Sequence, residues 1–392
     1  MTDRSPVRII ACVDTGVDDA LALALLLASP DECKLVGVLA GYGNVDAATA
    51  ERNTRFVLDL FGRSDVPVFR SSTHPSWADA FIPDAGCALF HGADGLGGYV
   101  ARSGIERFDG GMSDGGMSDG VVSVGGYRTD DPHADPADGA YASTSVGTVA
   151  PVGKVAPAKA VAPAASDPEG EASADGVAFL IEQVRRHGRG VTVLATGPLT
   201  DVDAALRRAP DIARKLRLVM MGGTLSQPGN CWDAVAETNV IQDPEAADRV
   251  FHTGADVTMV GLDVTHRCLL PCDAAARWRA TGTARGRFLA AIADFSIAAN
   301  LEADPVAFAG GMPLHDPLAA AVALDPSLVS CFDVALRAET ETGDRTGVRG
   351  RTIGDPVGLV TPTSPRVHVA LDVDAARFTD GLTARLTALC EA

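Results

Sequence analysis

Asp14, Asp18 and Asp19 set three carboxylates within six residues, where an apolar run over residues 7–13 gives way to helix-forming sequence. Unpaired carboxylates this close repel one another, so such a cluster calls for a cation, or the hydroxyls of a polyol, to hold. Asp18 and Asp19 also have an ordinary explanation, because the first turn of a helix favours anions. Asp14 precedes the helix and is left over. Other polar residues follow later apolar runs: Asn44, Thr196, Glu237 with Asn239, and His315 with Asp316. Taken singly, Asn44 reads as a turn residue, Asp316 before Pro317 as a helix N-cap and His315 as a satisfied buried histidine. Together they suit hard-cation binding by carboxylates and a carbonyl, with amides and further carboxylates left to grip hydroxyls.

Apolar runs at 7–13, 35–40, 66–69, 191–195, 216–221 and 257–262 read as strands. Helical sequence is expected at 19–28, 45–61, 176–186, from Asp243, at 274–287, at 288–301 and from His315. Strands near 332–336 and 366–371 and a helix from Asp374 close the chain. This alternation predicts an α/β fold: a mainly parallel, Rossmann-like open sheet flanked by helices, with right-handed crossovers. In such a sheet the carboxyl ends of the strands share one edge, so distant polar residues converge on one pocket. The glycine-rich stretch at 90–98 reads as a mobile flap.

Residues 109–175 differ in kind. They contain no Leu, Ile, Phe or Trp, and they repeat Gly-Gly-Met-Ser-Asp directly at 110–114 and 115–119 before turning Ala/Pro/Val-rich. A stretch with so little apolar surface to bury is predicted to be a disordered insertion within one domain spanning 1–392. A formal charge of −18 argues against nucleic-acid backbones and anionic membranes and favours a neutral small molecule or a metal cation. No apolar stretch reaches membrane-spanning length and no leader pattern opens the chain, which reads as cytoplasmic. Eight cysteines, several within apolar runs and with no Cys-x-x-Cys spacing, read as buried thiols.

With these residues in view, the chain resembles the inosine-uridine-preferring nucleoside hydrolases. Their signature, Asp-x-Asp-Pro-Gly-x-Asp-Asp-Ala, stands here as Cys12-Val13-Asp14-Thr15-Gly16-Val17-Asp18-Asp19-Ala20. Gly43-Asn44, Ala195-Thr196-Gly197-Pro198-Leu199-Thr200, Met221-Gly222-Gly223 and Ala236-Glu237-Thr238-Asn239 match in order. So do Val260-Gly261-Leu262-Asp263-Val264-Thr265-His266 and His315-Asp316-Pro317. The resemblance implies a Ca2+-dependent hydrolase that cleaves the N-glycosidic bond of ribonucleosides to ribose and free base through an oxocarbenium-like transition state. It implies that Asp14, Asp19, Asp316 and the Thr196 carbonyl hold Ca2+, and that Asp14 deprotonates a water on the ion. Asp18, Asn44, Glu237 and Asn239 match positions that grip the ribose, with Asn230 and Met221 as further pocket residues. His315 matches the residue that protonates the leaving base in some members. A role in nucleoside catabolism and salvage and a homodimeric or homotetrameric assembly are also implied.

Three departures stand out. Cys12 replaces the first aspartate of the signature and Thr15 its proline. The segment from Gly229 to Glu237 is one residue longer than usual, which bears on Asn230 and on Trp232 as a pocket residue. Thr238 stands where many relatives carry an aromatic, and Phe295-Ser296-Ile297-Ala298 lacks the tyrosines found near the base. Cys12 and the insertion favour an alternative, a catalytically weakened nucleoside- or ribose-binding protein; the retained Asp14, Asp18, Asp19, Asn239 and Asp316 favour the enzyme. A haloacid-dehalogenase-type phosphatase is excluded, because Cys12 stands where its aspartyl nucleophile would be.

Overall fold

The structure is a computed structural model and describes residues 5–83, 85–99, 175–231, 235–342, 347–359 and 362–392. The described residues all belong to one compact unit, Met1–Glu106 with Ser173–Ala392. The predicted disordered insertion lies outside the described residues apart from Asp175, which caps a helix, and so does Trp232.

Among the described residues, nine strands form one sheet. They are β1 (Val7–Val13), β2 (Cys33–Ala40), β3 (Val68–Arg70), β4 (Val191–Ala195), β5 (Arg217–Met221), β6 (Asp256–Val260), β9 (Val329–Ala338), β10 (Thr352–Asp355) and β11 (Val367–Val373). The short β7 (Leu269–Leu270) and β8 (Met312–Pro313) pair separately. The spatial order is β10-β9-β11-β6-β5-β4-β1-β2-β3. Every pair from β3 across to β11 is parallel, while β9 pairs antiparallel with both β11 and β10. The predicted parallel α/β sheet is thus present, with an antiparallel hairpin added at one edge. From β1 the chain runs outward through β2 and β3, then returns to β4 on the other side of β1 and runs outward the other way. That makes the gap between β1 and β4 a topological switch point, where open α/β sheets bind ligands.

Ile9 and Ile10 show why β1 is a continuous apolar run: both are fully buried, on opposite faces of the sheet. One core holds helices α1 (Val17–Leu27) and α2 (Ala47–Leu60) against the sheet. The other holds α4 (Gly176–His187), α5 (Thr200–Arg208) and α7 (Pro244–Phe251). Of the remaining helices, α3 (Ala85–His91) and α6 (Thr238–Gln242) are short turns near the sheet edge, and α8 (Leu262–Thr265) follows β6. Then come α9 (Cys272–Ala280), α10 (Ala284–Ala303), α11 (His315–Leu324) and α12 (Ala375–Glu391). Helix α1 packs directly on α11, whose Ala319, Ala320 and Ala321 allow close approach. Both helices begin at the same edge of the sheet, which brings Asp18 and Asp19 next to Asp316.

Three expectations change, the first being the reading of the cysteines as buried thiols: Cys272 and Cys331 are exposed. The break expected at 287–288 falls instead at Gly282, whose φ of +69° suits glycine; Thr283 then caps α10 by accepting from the Gly286 N–H at 3.0 Å. The stretch read as a flap begins inside α3 and continues as packed turns. Leu96 there is fully buried, and Asn53 donates to the Asp94 carbonyl at 2.8 Å.

Candidate active site

The site forms where β1, β2, β4 and β5 end. Asp14 leaves β1 fully buried. Its Oδ2 accepts from the Asn44 backbone N–H at 2.7 Å and its Oδ1 from Asn44 Nδ2 at 3.2 Å. Asn44 Nδ2 also reaches Asp19 Oδ2 at 3.3 Å. The backbone crowds this carboxylate: a Cβ on Gly43 would sit 1.9 Å from Asp14 Oδ2, and one on Gly197 3.1 Å from its Cγ. Gly43 therefore needs to be glycine, while a side chain at Gly197 would press on the Asp14 carboxylate.

Asp19 carries two loads. Its Oδ2 accepts from the Gly16 N–H at 2.8 Å, the return half of a capping box, and its Oδ1 accepts from Thr196 Oγ1 at 2.6 Å. Helix capping and site assembly thus act together, and the first departure from the signature is also absorbed: the Thr15 hydroxyl bonds Thr54 Oγ1 at 2.6 Å. Asp316 is not the N-cap of α11, a position taken by Leu314, so the ordinary explanation for this carboxylate lapses. Asp18, Asp19 and Asp316 offer oxygens that all lie within 4.8 Å of one another, and all three residues are buried. Asp18 Oδ1 is buried without a hydrogen-bond partner.

This crowding shows in proton affinity. Burial, with the neighbouring carboxylates adding to it, holds Asp14 and Asp316 well above the usual carboxylate range. Burial raises Asp18 to about 6. Asp19 is raised by burial and by Asp18, with Thr196 and the Gly16 N–H opposing. A carboxylate oxygen buried without a hydrogen-bond partner, beside two more carboxylates, fits a divalent cation, which takes hard oxygen ligands. The fit holds for the residues present, and it rests on the orphaned Asp18 oxygen.

These carboxylates lie at one end of a cavity of about 690 Å3. Asp18, Asn44, Thr196, Met221, Asn230, Glu237, Asn239, His315 and Asp316 all line it. Asp14 and Asp19 lie behind that wall. Glu237 caps α6, accepting from the Asn239, Gly223 and Val240 N–H groups at 2.9, 2.9 and 3.1 Å. Asn239 Nδ2 donates to the Thr196 carbonyl at 2.8 Å and to Met221 Sδ at 3.3 Å. One lone pair of that carbonyl is therefore used and one remains. Asn230 accepts from Thr238, N–H at 3.0 Å and Oγ1 at 3.1 Å. His315 Nδ1 lies 2.8 Å from Thr265 Oγ1, and its ring lies 5.5 Å from that of His266. Burial, with His266 and His91 adding to it, holds His315 well below the imidazole range, so the ring is neutral near pH 7.

Several lining residues were not singled out from sequence. His91, in the stretch read as a flap, accepts from the Val17 N–H at 3.2 Å and lies 3.6 Å from Asp18 Oδ1. Burial pushes it down to about 4. A Cβ on Gly16 would meet His91 Nδ1 at 2.4 Å, which is why glycine stands there. A histidine inside a glycine-rich run was the available signal. Ser296, Asn300, Gln227 and His266 also line the cavity; His266 ends a matched motif and Ser296 lies in the segment compared for its missing tyrosines, whereas Asn300 and Gln227 carry no sequence mark.

A nine-stranded, mainly parallel sheet with a buried carboxylate cluster and a cavity at its switch point defines an α/β protein built to bind a small ligand at the strand ends. Residues 9–380 match the family described as inosine-uridine preferring nucleoside hydrolase, and the chain belongs to that family. It is 31% identical over 374 residues to the pyrimidine-specific ribonucleoside hydrolase RihA of Citrobacter koseri, covering 95% of this chain and 96% of that protein. A solved purine-preferring ribonucleoside hydrolase from Gardnerella vaginalis is 33% identical, with a TM-score of 0.74 and coverage of 98% of this chain and 99% of that one. The inosine-uridine preferring nucleoside hydrolase of Bacillus anthracis, 23% identical with a TM-score of 0.63 and coverage of 97% and 99%, shares the fold. The protein is a nucleoside hydrolase by family.

Proposed function

We propose that the protein hydrolyses the N-glycosidic bond of ribonucleosides to ribose and free base with Ca2+ held by Asp14, Asp19, Asp316 and the Thr196 carbonyl. The observation that carries this reading is the cluster of buried carboxylates Asp18, Asp19 and Asp316, whose oxygens lie within 4.8 Å of one another, with Asp18 and Asp316 lining the cavity. When bound, the cation supplies positive charge that acidifies a nearby water and attracts the ribose hydroxyls. Asp14 accepts the proton of the attacking water, and Asn44 fixes the orientation of its carboxylate. Asp18 Oδ1 accepts from a ribose hydroxyl. Asn239 keeps its Oδ1 for a hydroxyl while its Nδ2 is spent on Thr196 and Met221. As the bond to the base breaks, positive charge grows on the ribose ring, and the Asp18 and Glu237 carboxylates stabilise it. His315 is neutral, so it assists the leaving base as a hydrogen-bond donor from Nε2, with Nδ1 accepting from Thr265.

The relatives named above divide between pyrimidine-specific and purine-preferring enzymes. The reading is therefore of a ribonucleoside hydrolase, tested with a panel of purine and pyrimidine nucleosides assayed for free ribose. Release of ribose from at least one, lost in Asp14→Ala, is expected. Full turnover by Asp14→Ala would remove Asp14 from its role.

A further inference from the structure

The loop that follows β5 forms one wall of the cavity, through Gln227, Asn230 and Cys231. Two charged residues from elsewhere in the chain hold it. Asp263, at the start of α8, accepts from the Leu225 and Ser226 N–H groups, both at 2.8 Å. Arg351, at the start of the edge strand β10, donates to three carbonyls of the loop: Leu225 at 3.1 Å, Gln227 at 2.9 Å and Val235 at 3.0 Å. Among the described residues no carboxylate is bonded to this guanidinium, so its donors go to the loop backbone. Its neighbour Thr352, 1% exposed, accepts from the Thr224 N–H at 3.0 Å and donates to the Thr224 carbonyl at 2.6 Å.

The geometry points to Arg351 as a positioning residue for the nucleoside, clamping both limbs of the loop so that Gln227 and Asn230 keep the shape of the cavity wall. Leu225 and Gln227 lie on the outgoing limb and Val235 on the returning one, so a single planar group ties the loop across its base. A guanidinium can do this because its donors diverge in a fixed plane; an ammonium on a flexible stem cannot span all three acceptors. The proton-accepting and cation-holding carboxylates sit on β1, α1 and α11, none of which Arg351 touches. Loosening the loop should therefore weaken binding far more than the chemical step.

This inference rests on the reading of the site as a nucleoside pocket. Arg351→Met keeps the apolar stem and removes the donors. Its KM for the best nucleoside is expected to rise about tenfold or more, with kcat within about threefold of wild type. Arg351→Lys should fall between the two, at a KM about threefold above wild type. Amide hydrogen exchange at residues 224–231, measured without substrate, should quicken in both variants. A folded Arg351→Met with wild-type KM and wild-type exchange overturns the proposal. So does a loss confined to kcat or to melting temperature, which marks a merely structural residue. If Arg351→Met does not fold, Arg351→Lys decides by the same KM and exchange criteria. Absence of turnover in the wild type would instead refute the pocket reading, and the exchange measurement would still report on the clamp.

Discussion

Asn44 binds Asp14 through both its backbone and its side chain, at 2.7 and 3.2 Å, and the same side-chain amide reaches Asp19 at 3.3 Å. One residue at the end of β2 thus orients two carboxylates that belong to β1 and α1. Asn44→Ala keeps the backbone bond and loses both side-chain bonds. Residues that support a metal site in this way are worth about 10- to 100-fold in affinity or activity. A drop of that size in kcat/KM, with weaker Ca2+ binding by calorimetry, is expected; wild-type values for both would show that the amide is incidental.

Cys12 shares a small cavity of about 10 Å3 with Ser72, Thr200 and Asp201, and its thiol is held well above the usual range by burial and by the Asp201 charge. Restoring the family's aspartate at this position would bury a second carboxylate beside Asp201. Cys12→Asp should therefore destabilise the protein by about 3 kcal/mol or more, read from urea unfolding. The double variant Cys12→Asp, Asp201→Asn should regain most of that loss. Equal stability of Cys12→Asp and wild type would refute the electrostatic coupling.

His91 governs part of the pH dependence of the metal-free protein. Its folded value of about 4 lies below the 6.5 of a free histidine, so the unfolded chain takes up the proton first as pH falls. Its contribution is complete above 6.5 and is lost as pH falls towards about 4, on the order of 3 kcal/mol in all. Asp18, raised from 3.8 to about 6, acts in the opposite sense: its contribution is complete below 3.8 and lost as pH rises through about 6. The difference between wild type and His91→Gln isolates the histidine. That difference should shrink from pH 7 to pH 4; a constant difference would contradict the shift.

The parts of this fold that were legible are those where one physical cause acts alone. Strands β1 and β4 have the bounds the mostly apolar runs predict, because Ile9–Val13 and all of β4 are buried on both faces of the sheet. The pairing of β9 into a hairpin with β10 and the helix α3 were not seen, although the core of β9 was expected near 332–336. The first lies at a sheet edge where half its residues face water, and the second is seven residues long in a glycine-rich stretch. At the site, the carboxylates and amides were legible as residue types at strand ends, since a parallel sheet gathers those ends. What periodicity cannot carry is contact between distant segments, such as Thr196 with Asp19, His91 with Val17, or Arg351 with the loop after β5. The ordinary explanation of Asp316 as an N-cap failed for a local reason, because α11 starts at His315, two residues earlier than Pro317 suggests.

Turnover is expected to depend on a divalent cation held by the buried carboxylates around Asp19 and Asp316. Ribose release from a good nucleoside should be measured after exhaustive chelation, with metal content verified, and again as Ca2+ is titrated back. The account predicts loss of activity on chelation, recovery with Ca2+, and no recovery in Asp316→Asn. Undiminished ribose release by verified metal-free protein would contradict it.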